Sequence, residues 1–466
     1  MNRLDDSPYQ GYLYAYPHKT AYRPLRPRPS LREVWSAERR DALYLYLHLP
    51  FCEMRCGFCN LFTRANPPAE QVSAYLAQLR RQAGRVRSAL DSVPGPAARF
   101  ARVAVGGGTP TYLSPAELTA MFDLIEVLGA EPGRVPTAVE TSPATATRDR
   151  IAVLAERGTT RVSIGVQSFL DAEARLVGRP QRRAEVERAL ENIRDQRIPV
   201  LNIDLIYGIP GQTPDSWHRS LGAALRWRPE ELFLYPLYVR PLTGLARRAA
   251  VPRQRPAAGP TAPPPAAVAP APAAGDPGWD GQRLALYRQG REVLLRAGYR
   301  QLSMRHFRRV DLPETGDPDY CCQDDGMVGL GCGARSYTTD LHYSFDYAVG
   351  VRQVRAIIDD YLTRPAADFD HAEVGFRLDR VEQRRRWLVK SLLRTDGLDP
   401  GAYRARFGTE ARDDFPALDV LGARGWLDTR PGRIALTPAG LERSDAIGPW
   451  LVSGQVRAAM TEYAVR

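Results

Sequence analysis

The sequence predicts an α/β fold: a parallel sheet of strand–helix units, preceded by an extended arm and followed by a smaller α+β module. Three observations lead there. From Leu43 onward, short apolar runs alternate with amphipathic segments six times. Before them, residues 1–42 are rich in Tyr, Pro and Arg and show little periodicity. After them, residues 380–466 read as helix, helix, a two-stranded wing and a final helix opening at Thr437-Pro438.

The apolar runs at 43–49, 101–105, 137–140, 161–166, 200–206 and 232–239 have the length and composition of strands buried on one or both faces. Helical periodicity fills the intervals near 70–91, 114–128, 147–157, 182–196 and 213–227. The second helix carries a complete start signal, with Ser114 as N-cap, Pro115 at the first helical position and Glu117 two residues further on. Strand–helix alternation of this kind implies a parallel sheet, either open or a partial barrel. The Pro/Ala-rich stretch 251–279 cannot bury a core and is expected to be a disordered linker. A helix near 281–297 and a Gly-rich segment at 327–337 follow it. The expected division is therefore an arm (1–42), a barrel (43–250), the linker (251–279), an extension closing the site (280–379) and a winged-helix-like cap (380–466).

Composition narrows the function classes. Apolar residues make up 44% and charged residues 25% of the 466, as in ordinary globular proteins. No run of 18 apolar residues occurs, so no membrane span is expected, and the polar stretch Met1–Tyr9 lacks a signal-peptide core, so the expected compartment is the cytoplasm. The net charge of +11 comes almost entirely from Arg, with Lys19 and Lys390 the sole lysines. These Arg residues are scattered along helices rather than gathered in a block. That argues against nucleic acid as a partner and suits an anionic small substrate.

Six cysteines are too few for a disulfide scaffold, and three of them fall within eight residues as Cys52-Glu-Met-Arg-Cys56-Gly-Phe-Cys59, just after the first strand. A C-x3-C-x2-C loop can wrap three thiolates around a cubane and leave its fourth iron without a protein ligand. Zinc is the alternative at this loop, because His48 stands four residues ahead of Cys52 and would complete a Cys3His set. The second strand runs directly into Gly106-Gly107-Gly108-Thr109-Pro110, where glycines let the charged head group of a ligand approach the backbone. Cys321, Cys322 and Cys332 lie by the later Gly-rich segment and read either as an auxiliary metal or redox site or as small buried hydrophobes.

These motifs resemble the radical S-adenosylmethionine (SAM) superfamily, in the branch of oxygen-independent coproporphyrinogen III oxidase and the heme chaperone. The matching segments are YLYLHLPFCEMRCGFC (44–59), GGGTPTYL (106–113), ETSP (140–143), RVSIGVQSF (161–169), LVGR (176–179), NIDLIYGIPGQT (202–213) and GLGCGARSY (329–337). The resemblance implies an incomplete (β/α)6 barrel with a [4Fe–4S] cluster on Cys52, Cys56 and Cys59 and one or two molecules of SAM. It further implies that Tyr46, Phe58, Gly107, Gly108, Thr109, Glu140, Gln167, Arg179 and Asp204 hold SAM, with Arg179 pairing to a carboxylate. On the residues alone, Glu140 and Asp204 read equally as helix N-caps. The implied reaction is one-electron cleavage of SAM to a 5′-deoxyadenosyl radical that takes hydrogen from the substrate. A flavodoxin- or ferredoxin-type donor would supply the electron. The implied substrate is a tetrapyrrole such as a porphyrinogen, decarboxylated oxidatively; no catalytic residue is named. Two alternatives stay open: a heme carrier using His18 or His306, and a radical SAM tailoring enzyme or methyltransferase on another substrate.

Three places depart from the oxidase pattern and one from the chaperone's. Asn60-Leu61 replaces Gly-Cys after Cys59; Arg335 stands where the oxidase has an apolar residue; Arg305 stands where an acidic one is usual; and Tyr320-Cys321-Cys322-Gln323 lacks the chaperone's pattern. Asn60, Arg305 and Arg335 are expected to face a second SAM or the substrate.

Overall fold

Leu43–Leu49 (β1), Phe100–Gly107 (β2), Thr137–Thr141 (β3), Arg161–Gln167 (β4), Val200–Tyr207 (β5) and Glu231–Pro236 (β6) lie side by side in chain order, every pair parallel. Ala69–Asp91 (α1), Pro115–Val127 (α2), Arg148–Glu156 (α3), Arg183–Asp195 (α4) and Pro214–Leu225 (α5) connect them. The start of α2 follows the chemistry read from the sequence. Ser114 and Glu117 form a reciprocal capping box at α2, and Thr213 with Ser216 does the same at α5. The computed structural model describes residues 4–250, 273, 275–313, 326–428 and 432–463. Most of the Pro/Ala stretch lies outside the described residues, as do Tyr320, Cys321, Cys322 and Gln323.

The expected linker is too long at its C-terminal end. Pro277–Arg296 (α6) begins inside it: Asp276 accepts from the Trp279 backbone N–H at 2.8 Å, with Pro277 at the first helical position. Trp279 is 4% exposed and its indole donates to Gly208 O at 2.9 Å, so these residues belong to the body.

Both edges of the parallel sheet are extended by elements the strand pattern did not separate. On the β6 side, His306–Arg309 (β8) pairs antiparallel with β6, and Tyr299–Gln301 (β7) pairs with β8. On the β1 side the Gly-rich segment supplies a seventh parallel strand, Met327–Leu330 (β9), with Gly329 opposite Tyr46. Arg335–Tyr337 (β10), Leu341–Ser344 (β11) and Val374–Arg377 (β12) follow antiparallel, and Arg23–Pro24 of the arm ends the sheet. The terminal strands of this thirteen-stranded sheet, β7 and Arg23–Pro24, do not pair with each other, so the barrel is incomplete.

Strand alternation gives the sheet two unlike faces. Leu45, Leu47, Val103, Val139, Val162, Ile164, Leu201, Ile203, Leu232 and Leu234 are almost wholly buried, in one core with α1–α5. Each such side chain contributes about 1.5–3 kcal/mol relative to exposure. The intervening positions carry Tyr44, Tyr46, Glu140, Arg161, Asp204, Phe233 and Tyr235, most of them partly accessible. A closed eight-stranded barrel fills its interior with apolar layers; this one leaves a polar lumen.

Arg380–Leu392 (α7) opens the C-terminal module, whose wing is the antiparallel pair Leu427–Asp428 (β13) and Ala435–Leu436 (β14). Its core contains Leu388, Leu392, Tyr403, Leu418, Leu421 and Ile447, and also Leu4, Leu13, Tyr16 and Tyr22 of the arm. The arm is therefore built into the module. Tyr16, fully buried, donates its hydroxyl to Glu382.

Candidate functional site

Cys52, Cys56 and Cys59 sit on the loop that leaves the C-terminal end of β1. Its conformation is fixed by neighbours on three sides. Gly108 N donates to Leu49 O and Thr109 N to Phe51 O, each at 2.7 Å, which zips the Gly-rich turn after β2 to the chain before the cysteines. A Cβ at Gly108 would stand 2.5 Å from Phe51 O, and one at Gly107, whose φ is +115°, would strike the His48 ring. On the other side Gly57 N donates to Gly178 O at 3.3 Å, and Leu245 N donates to Gly57 O at 2.8 Å. Glu53 accepts from Ser142 Oγ at 2.8 Å at the end of β3. Between two cysteines, Arg55 donates to Val349 O at 2.7 Å and to Cys59 O at 3.4 Å.

The thiols meet donors. Thr109 Oγ1 lies 3.6 Å from Cys52 Sγ, Arg179 Nη1 lies 3.7 Å from Cys56 Sγ, and Thr63 Oγ1 lies 3.9 Å from Cys59 Sγ. Burial pushes the Cys52 and Cys56 thiols up, against the pull of Thr109 and Arg179 respectively.

Zinc does not fit. His48 Nε2 is 3.0 Å from Phe62 O and its Nδ1 is 3.2 Å from the Tyr46 hydroxyl, so both ring nitrogens are engaged. Among the described residues no three His, Cys, Asp or Glu side chains converge as ligands of one ion. A single zinc needs ligands about 2.0–2.3 Å from one point, whereas a cubane offers a separate iron to each thiolate and accepts wider spacing. The charge also suits a cluster. Arg179 stands beside it, and Arg55 keeps Nε and Nη1 buried with no partner among the described residues, leaving donors for an anionic group. The residues present therefore fit a [4Fe–4S] cluster.

Above the loop, the residues expected to hold SAM converge. Gly107 N donates to the Glu140 carboxylate at 3.2 Å. Water reaches Glu140, yet the surrounding protein raises its pKa through desolvation. Tyr46 projects from β1 into the same lumen, and Phe58 packs against the cluster of Val177, Ile206, Ile209 and Leu237. Gln167, at the end of β4, is buried with φ +67°, uncommon for a non-Gly residue and held by a strand irregularity. Arg179 donates from Nε to Gln181 at 2.9 Å and pairs with no protein carboxylate among the described residues. Asp204 is mid-strand in β5; it accepts from Asn202 at 2.7 Å, and burial raises its pKa to about 7. Neither Glu140 nor Asp204 caps a helix.

Arg305 does not face the lumen as expected. It is 3% exposed and ion-paired with Asp445 of the C-terminal module, with the Tyr12 ring 3.9 Å from its guanidinium carbon. Asp445 also accepts from the Tyr238 hydroxyl. Asn60 O accepts from Tyr347 at 3.1 Å. Cys332 is 1% exposed in the main core, where burial pushes its thiol to about 12, as for a small hydrophobe. His18 is held by Thr20 at 2.9 Å, and His306 stacks on Phe233 with ring centres 4.3 Å apart. Sequence reasoning missed Glu53 and a polar floor in which Glu231 joins Arg161, His306 and Arg308. The inward alternation of Arg161 with Ser163 was the signal available.

Residues 46–223 match the profile of the Radical SAM superfamily. That segment is a Radical SAM domain, whose cofactors are a [4Fe–4S] cluster and SAM. The chain further resembles oxygen-independent coproporphyrinogen III oxidases. That of Paracoccus denitrificans is 33% identical over 302 residues, covering 63% of this chain and 60% of the relative. That of Pseudomonas aeruginosa is 26% identical over 463 residues, covering 93% and 90%. The heme chaperone HemW of Bacillus subtilis is 31% identical over 199 residues, covering 42% and 51%. The match to the Cereibacter sphaeroides oxidase likewise spans only 55% of that relative's length. In fold, the chain superposes on coproporphyrinogen III oxidase of Escherichia coli with a TM-score of 0.73 at 23% identity, over 95% of this chain and 97% of that one.

Proposed function

We propose that the protein is a radical SAM oxidoreductase that decarboxylates a coproporphyrinogen-like polycarboxylate. The observation that carries this reading is the three-thiol loop zipped to the Gly-rich turn at the mouth of a polar lumen. Cys52, Cys56 and Cys59 would hold the cluster, and Tyr46, Phe58, Gly107, Gly108, Thr109, Glu140, Gln167, Arg179 and Asp204 would surround SAM. When bound, the cluster and SAM would supply an electron and a carbon-centred radical that takes one hydrogen atom from the substrate, and the electron left when CO2 departs would pass to an external one-electron acceptor. The chain's own residues bind, orient and exclude water. Arg179 offers its remaining donors to a carboxylate. Asp204, with its pKa near 7, holds a proton on its carboxyl well above the usual carboxylate range and can donate to a ligand oxygen. The arm and the C-terminal module meet over the mouth through Gly11 N, which donates to Asp445 O at 2.9 Å.

The test is an anaerobic assay with SAM, reductant and coproporphyrinogen III, read by mass spectrometry. Two successive losses of formic-acid mass support the reading. Stoichiometric heme uptake without porphyrin product would favour the carrier, and 5′-deoxyadenosine formed with no change in the porphyrinogen would point to another substrate.

A further inference from the structure

We propose that Arg335, Lys19 and Tyr14 form a carboxylate-binding site where the N-terminal arm meets the barrel mouth. Arg335 opens β10, two strands from β1 across β9. Its Nη1 donates to the Tyr14 hydroxyl at 2.9 Å in a contact open to water, and its guanidinium carbon lies 4.8 Å from the centre of the Tyr14 ring. From the arm, Lys19 Nζ stands 3.5 Å above the Tyr347 ring, and its charge acts on the same Tyr14 hydroxyl. Tyr347 in turn holds Asn60, next to Cys59, so the pair of cations flanks the cluster loop.

The charge balance here is unlike that of Arg161 and Arg305. Arg161 has Glu231 and Arg305 has Asp445, but among the described residues no Asp or Glu pairs with Arg335 or Lys19. Two neighbouring cations with reduced hydration and no counter-charge repel each other. The strain shows in their surroundings. Burial pushes Lys19 down to about 8; Tyr14, which burial alone would raise, is pulled to about 8 by Arg335 and Lys19. An anion relieves all three. A guanidinium fork, an ammonium and a phenol hydroxyl match the in-plane lone pairs of a carboxylate. The class of anion rests on the polycarboxylate substrate proposed above.

Propionate is the probe, titrated into the reconstituted holoprotein and followed by saturation-transfer NMR. Arg335→Met and Lys19→Met should each weaken propionate binding at least ~10-fold, while Arg335→Lys keeps part of it and Arg296→Met, on the exposed face of α6, changes nothing. The variants are compared at equal iron content and melting temperature. Displacement of propionate by coproporphyrin III but not by its tetramethyl ester identifies a substrate carboxylate; displacement by a second equivalent of SAM identifies the amino-acid carboxylate of that molecule. Propionate binding that depends on Arg335 but ignores coproporphyrin III keeps the site and removes the tetrapyrrole reading. Binding unaffected by either substitution, or stronger for inorganic phosphate than for propionate, overturns the site.

Discussion

Asp204 lies in the lumen, where burial raises its pKa to about 7 and Asn202 and Arg161 pull it only partway back. In the unfolded chain the same carboxyl titrates near ~3.9. Between those values the folded state binds the extra proton, so stability falls as pH rises from about 4 to about 7. Asp204→Asn removes that loss. SAM-free protein carrying it should gain stability over wild type in urea unfolding at pH 8, and the gain should shrink toward pH 4. A constant difference at both pH values would contradict the assignment. Arg305 makes a different prediction. Replacing it with Met strands the Asp445 carboxylate, and breaking a buried ion pair costs about 3–5 kcal/mol. The double change Arg305→Met with Asp445→Leu should recover part of the lost melting temperature. The sequence disclosed Arg305 as unusual but not its role, because its partner lies 140 residues away and nothing local marks the pair.

Among the elements, the cluster loop and the turn after β2 behave as one unit. A methyl at Gly108 must displace Phe51 O from 2.5 Å, and that carbonyl already holds Thr109 N. Gly108→Ala should therefore lower the iron content as well as SAM binding. Glu140→Gln, which keeps the contact to Gly107 N possible, should lower SAM affinity while leaving iron content unchanged. Equal iron in wild type and Gly108→Ala would uncouple the turn from the loop. The six parallel strands and their helices were legible because each strand carries a run of apolar residues and each helix an amphipathic period, with a capping box marking the start of α2. The β9–β12 extension was not. Its strands are three or four residues long, glycines hide the parallel pairing of Gly329 with Tyr46, and β10 and β12 each open their run with a residue only half-buried.

At the scale of the whole molecule, the arm links the barrel mouth to the C-terminal module. Tyr9 belongs to the main core, while Leu13, Tyr16 and Tyr22 belong to the module's core. Tyr16→Ala leaves a cavity and an unpaired Glu382, at a cost of about 3–5 kcal/mol; it should expose the module to proteolysis before the barrel. Sequence reading placed the arm against the body but not inside a core, because scattered tyrosines among prolines carry no period that names a partner. The three cysteines and the Gly-rich turn were legible by spacing alone. The lumen they serve was not, since its polar face appears only when alternation is read across all six strands together. The most direct test of the account is the electron paramagnetic resonance spectrum of the reduced, reconstituted protein with and without SAM. The account predicts a reduced [4Fe–4S] signal that changes shape when SAM binds and is absent from Cys52→Ala, Cys56→Ala and Cys59→Ala. A cluster signal that survives in any of those variants, or a wild-type signal indifferent to SAM, would contradict it.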